Sequence, residues 1–112
     1  MSLTKADMAD RLFDEVDVIL TPATPVIAPK IGAVEVTVDG IAEPAGNAIT
    51  RYTSFFNMTG HPAITLPCAM HSAGLPISAQ LVRRHHADEA LIETARLVEQ
   101  AYDFELPTPA LE

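Results

Sequence analysis

The sequence predicts an α/β fold, a small mixed sheet flanked by helices, and three observations predict it. Two segments, residues 4–16 and 88–102, carry apolar side chains at three- and four-residue spacing with charged residues opposite, as an amphipathic helix requires. Three short apolar runs, 18–20, 63–66 and 77–82, have the length and content of strands. Helix and strand signals interleave along the chain, an order that places helices against a sheet.

The elements follow in order. Thr4 and Asp7 have the spacing of a capping box, and a helix is expected from there to about Val16, with Met8, Leu12, Phe13 and Val16 as its apolar stripe. Val18-Ile19-Leu20, stopped by Thr21-Pro22, reads as a strand buried on both faces. Pro22, Pro25 and Pro29 make 22–32 an extended loop, because each removes a backbone donor and disfavours helix before it. Residues 34–38 alternate apolar and polar ahead of Asp39-Gly40, the pattern of a peripheral hairpin. A second helix is expected from a cap at Asn47 to Thr59, with Ile49, Tyr52, Phe55 and Phe56 inward and Gly60 as its stop. Strands 63–66 and 77–82 should pair antiparallel across a loop containing Gly74 and Pro76. Asp88 should cap the last helix, which buries Leu91, Ala95, Val98 and Tyr102, exposes Glu89, Glu93, Arg96, Glu99, Gln100 and Asp103, and ends at Phe104, Pro107 and Pro109.

Composition narrows the classes of function. A chain of 112 residues, 48% hydrophobic and 20% charged, has the material for one core and none of the bias of a disordered segment. Fifteen acidic residues against seven basic ones give a formal charge of −8, which opposes phosphate contacts, so no nucleic-acid partner is expected. No apolar run approaches the ~20 residues that span a bilayer, so no membrane partner is expected, and a lone Cys68 forms no internal disulfide. A cytoplasmic setting is the expectation. Met1-Ser2-Leu3 reads as a leader added by a vector, and residues 4–112 as a single domain.

Three segments, in this order, carry a resemblance. They are Asp17-Val18-Ile19-Leu20-Thr21-Pro22, then Arg51-Tyr52-Thr53-Ser54-Phe55-Phe56-Asn57-Met58-Thr59-Gly60-His61-Pro62-Ala63-Ile64-Thr65-Leu66-Pro67-Cys68, then Gly74-Leu75-Pro76-Ile77-Ser78-Ala79-Gln80-Leu81-Val82. The chain resembles the C-terminal part of amidase signature enzymes, in which a strand ending in Thr-Pro, a helix ending in an Asn-x-x-Gly-x-Pro-Ala turn and a Gly-Leu-Pro strand follow one another. The Arg51-Tyr52-Thr53 opening is closer to general amidases than to glutamyl-tRNA amidotransferase A subunits, which come second.

The resemblance implies an α/β fold and amide C–N bond hydrolysis in the intact enzyme, with no cofactor. In that family a serine attacks, a second serine relays the proton and a lysine serves as base, which works where the lysine is desolvated enough to be neutral. None of the three has a counterpart here: Ser2, Ser54, Ser72 and Ser78 are scattered, and the lysines are Lys5 and Lys30. No catalytic residue is therefore assigned to this chain. Its expected partners are the catalytic N-terminal part of the same enzyme and a small amide substrate, with self-association of the chain alone. The resemblance leaves it a share of the substrate pocket: Ser54 and Met58, four residues apart on one helical face, are the candidates, the plainer reading of Met58 being a filler of the core. A non-catalytic binding or assembly module is the competing reading.

Other chemistry-bearing residues invite plainer readings. His85 and His86 beside Asp88 and Glu89 lack the spacing of a zinc set, so no metal site is expected there. Arg83 and Arg84 read as solvated, His61 and His71 as histidines without a partner, and Cys68 as a small buried hydrophobe rather than a nucleophile.

Overall fold

Thr4 opens the first helix by the expected capping box: its hydroxyl accepts from the Asp7 N–H at 3.1 Å and the Asp7 carboxylate accepts from the Thr4 N–H at 3.2 Å. The structure, a computed structural model, describes residues 4–107, so Met1-Ser2-Leu3, expected to be a leader, and Pro109, expected in the stop of the last helix, lie outside the described residues. Helix α1 (Lys5–Leu12) is shorter than its periodicity suggests. Ala9 and Phe13 are its buried contacts, while Met8, Leu12 and Val16 of the expected inward stripe are exposed. Hydrogen bonds from Thr4, its side chain first, hold the Asp7 carboxyl below its ordinary value. A lowered folded-state value contributes stability that is present above the unfolded-state value and is lost as pH falls through the folded one. Below about pH 4, the melting temperature of the chain is therefore expected to fall more steeply than that of Thr4→Ala, as followed by circular dichroism, and parallel acid limbs would contradict it.

Three strands form the central sheet in the order β1-β5-β4: β1 (Ile19–Pro22), β5 (Pro76–Val82) and β4 (Ala63–Met70). Both pairings are antiparallel, so β1 and β4 run the same way on either side of β5. The expectation of a β1 buried on both faces is corrected: it is an edge strand whose side chains alternate, with Leu20 64% exposed. β4 is longer than expected and survives Pro67, which lacks a ladder donor, through a register shift between Pro67 and Ala69 that leaves Cys68 as the extra residue.

β2 (Glu35–Val38) and β3 (Ile41–Pro44) make the expected hairpin as a separate two-stranded sheet. Its two-residue turn puts both Asp39 (φ 50°) and Gly40 (φ 80°) at positive φ, which suits the twist of the flanking strands.

The helix expected from Asn47 to Thr59 is two helices, α2 (Ala45–Ile49) and α3 (Thr53–Thr59). Asn47 lies inside α2 and does not cap it; the helix starts directly after Pro44. The break falls where the Thr50 hydroxyl bonds back to the Gly46 carbonyl at 2.8 Å, a side-chain bond that competes with helix continuation. Gly60 (φ 80°) ends α3 as expected, its N–H donating to the Phe56 carbonyl at 2.9 Å.

α4 (Asp88–Tyr102) begins at Asp88, but the Asp88 carboxylate makes no cap bond: Ala87 holds the cap position, and Asp88 and Glu89 act through the helix dipole. Leu91 and Ala95 are buried and Val98 is half-buried, whereas Tyr102, expected inward, is exposed. The chain thus layers as α1 and α3, sheet, then α4. Adjacent β5 residues point to opposite faces, so Val82 packs with Phe13 and Phe56 on one side and Leu81 with Leu91 and Ala95 on the other. On the Val82 face Gln80, 2% exposed, satisfies its amide by donating to Thr21 Oγ1 at 3.0 Å and to the Tyr52 carbonyl at 3.3 Å. Among the described residues no helix is long and apolar enough to cross a membrane.

Candidate functional site

α3 carries both residues picked out for the substrate pocket. Ser54 is half-buried, and Met58, four residues on, is 68% exposed. Met58 therefore fills no core gap among the described residues. Neither residue lines the two clefts described next.

One cleft, of about 510 Å³, lies between the sheet and the end of α4 and is lined largely by apolar groups, among them Leu20, Leu66, Leu81, Val98 and Phe104. Cys68 borders it from its bulge, the Sγ directed at the Ile77 carbonyl at 3.6 Å. The other, about 500 Å³, lies between the proline-rich loop, β2 and the start of β5, where Ser78 and His71 both reach its wall. His71 Nδ1 accepts from the Ala73 N–H at 3.0 Å, which holds the ring in the turn between β4 and β5. Among the described residues no serine hydroxyl hydrogen-bonds to a lysine or a histidine, so no activated nucleophile is assembled from them.

Of the arginines after β5, Arg84 is exposed as its solvated reading expects and Arg83 is half-buried, and both are tied to neighbouring helices. Arg83 Nη1 donates to Thr94 Oγ1 at 3.0 Å, fastening the strand exit to α4, and Arg84 Nη2 donates to the Phe13 carbonyl at 2.6 Å, fastening it to the end of α1. Arg51, which opens the most specific of the three family segments, pairs with Glu43 of β3 and so ties the hairpin to the start of α3.

His61 is the largest departure from the sequence reading. Its side chain is fully buried, Nε2 lies 2.8 Å from Asp10 Oδ1, and Nδ1 lies 2.8 Å from Thr59 Oγ1. Phe13 stacks on the ring at a centroid distance of 5.4 Å, and His85 stacks on it at 3.9 Å with its own Nε2 3.6 Å from the same Asp10 oxygen. The cluster joins α1, the turn after α3 and the exit of β5. Nothing local in the sequence announces it, since Asp10 and His61 are 51 positions apart; the Gly60-His61-Pro62 turn is the one signal, as it fixes where the ring leaves the backbone.

Comparison with known proteins gives the family of the chain. The amidase family model matches residues 3–92. The glutamyl-tRNA(Gln) amidotransferase A subunit of Caldanaerobacter subterraneus is 36% identical over 110 residues, covering 98% of this chain and 21% of that protein. Among solved structures, the glutamyl-tRNA(Gln) amidotransferase A subunit of Thermotoga maritima superposes with a TM-score of 0.73 at 27% identity, over 95% of this chain and 23% of its own. The 6-aminohexanoate cyclic dimer hydrolase does so with a TM-score of 0.75 at 26% identity, over 88% and 22%. The chain thus spans about a fifth of the length of the curated relatives it matches, and on its sequence, its strand order and these superpositions it belongs to the amidase family of the amidase signature enzymes.

Proposed function

We propose that the chain works as the C-terminal portion of an amidase signature hydrolase, supporting the enzyme and lining part of its substrate pocket while a Ser-Ser-Lys set outside these residues breaks the amide C–N bond. The observation that carries this reading is α3: it ends in the family's Asn-x-x-Gly-x-Pro-Ala turn and leaves Met58 bare. Ser54 and Met58 would face the acyl group of a small amide. The partner is then the N-terminal part of the same enzyme, in a cytoplasmic setting. The test is to produce this chain together with the segment encoded upstream and assay small amides. Met58→Lys should raise KM with little change in kcat, because it removes binding shared by ground and transition states. An upstream frame without a lysine and a Gly/Ser-rich Ser-Ser segment would remove the proposal.

A second reading, a portion of a glutamyl-tRNA amidotransferase A subunit, is favoured by the identity to the Caldanaerobacter protein. Activity of the joined parts on free amides without a tRNA-linked acceptor separates the first reading from the second.

Alone, the chain is expected to self-associate, most simply as a dimer. Met8, Leu12 and Leu20 are exposed, and the radius of gyration, 16.1 Å, exceeds the roughly 13 Å of a compact chain of this size. Of the surfaces the sequence suggests, β5 is closed on both sides, which leaves β1 and β4 as the open edges. The charge of −8 opposes contact, but its reach is only ~8 Å at physiological salt. Gel filtration with light scattering should give at least twice 12.0 kDa at physiological salt; a sharp monomer peak would sink the expectation.

A further inference from the structure

The Asp10, His61 and His85 ligand atoms all lie within 4.8 Å of one another. The Thr59 hydroxyl lies 3.3 Å from the Phe56 carbonyl and 2.8 Å from His61 Nδ1; where it donates to the carbonyl it accepts from Nδ1–H, the tautomer whose Nε2 lone pair faces the Asp10 carboxylate 2.8 Å away. Two acceptors so placed are held together by a cation between them, a proton or a metal ion. A second imidazole nitrogen lies 3.6 Å from the same oxygen, and the Thr59 hydroxyl holds the buried ring from behind, the position that a carboxylate, carbonyl or water takes behind a metal-bound histidine.

We propose that Asp10, His61 and His85 bind one divalent transition-metal ion of the zinc class, through the Asp10 carboxylate and the two Nε2 atoms. Two imidazoles with one carboxylate suit such an ion rather than magnesium or calcium, which take oxygen ligands. Ligand atoms ~2.0–2.1 Å from a tetrahedral ion lie roughly 3.3 Å from one another, so the His61 to Asp10 gap widens slightly. The His85 ring must also tilt out of its stack. His85 is free to do so: it is half-exposed and lies in the turn after β5, next to His86 at φ 65°. Water completes the coordination. The ion clasps α1, the turn after α3 and the exit of β5, whether or not the amidase reading holds.

The test uses the full 112-residue chain without an affinity tag, stripped with chelator and titrated with Co²⁺ and then Zn²⁺. The expected result is one equivalent of Co²⁺ with visible absorption of a low-coordinate site, displaced by one equivalent of Zn²⁺, and a Zn²⁺-dependent rise in melting temperature. Asp10→Asn and His85→Ala, both at partly exposed positions, should weaken binding at least ~100-fold, beyond the loss usual for an outer partner, and abolish the rise. Circular dichroism without metal checks that both variants remain folded; if one does not, the other decides. His71→Ala and His86→Ala should bind as the parent does. Absence of saturable one-to-one binding, affinity unchanged in the folded variant, or loss of binding in His71→Ala or His86→Ala would overturn the proposal and leave a hydrogen-bonded staple.

Discussion

The isolated chain is expected to hydrolyse no amide above background. Enzymes lower such barriers by about 8–23 kcal/mol, and most of that rests on a nucleophile, its base and donors aimed at the developing oxyanion. Ser54 is on α3, Ser72 in the β4–β5 turn and Ser78 on β5, and none hydrogen-bonds a lysine or a histidine among the described residues. Cys68, the lone thiol, is held against the Ile77 carbonyl beside an apolar cleft. Assays of an aryl and an aliphatic amide on repurified protein check this. Turnover that persists through purification and vanishes in Cys68→Ala would overturn it.

The second large effect concerns α4. Leu91 is 4% exposed and packs with Leu81 and Ala95 under the helix. Leu91→Asp forces a carboxylate with no partner into that layer, at a cost of several kcal/mol, against a total stability of about 5–15 kcal/mol for a domain of this size. It is expected to unfold or aggregate the chain. Val98→Asp should cost less, because Val98 is half-buried at the rim of the same cluster and its carboxylate can reach water. Glu93→Ala should be nearly silent: its partner Arg96 is 3.6 Å away and both side chains are about 60% exposed, a surface pair worth little. Thermal unfolding of the three variants decides it, and equal melting temperatures would show that the core lies on another face.

Local rules account for those elements whose signals are themselves local. The Thr4 capping box, the Asp39-Gly40 turn with both residues at positive φ, the Gly60 stop and the antiparallel pairing of β4 with β5 depend on neighbours in the chain, and each forms as the sequence predicts. Where the structure departs, a competing contact explains it. The Thr50 back-bond to Gly46 divides one expected helix into two, and helix dipole rather than a cap bond accounts for Asp88.

Ser54 and Met58 could be named from the sequence because a family motif surrounds them, and their helical spacing holds. The order of the three motif segments, likewise read without coordinates, is enough to assign the amidase family. Which strand lies at the centre and which apolar residues remain bare was not written in periodicity. Met8 and Leu12 obey the amphipathic pattern and Leu20 belongs to an apolar run, yet all three face outward, because a pattern records that a segment is apolar and not what covers it. The Asp10, His61 and His85 cluster was equally out of reach. Its members come from α1, the turn after α3 and the exit of β5, and only the packing of α1 and α3 on one side of β5 brings their polar atoms within reach of one another.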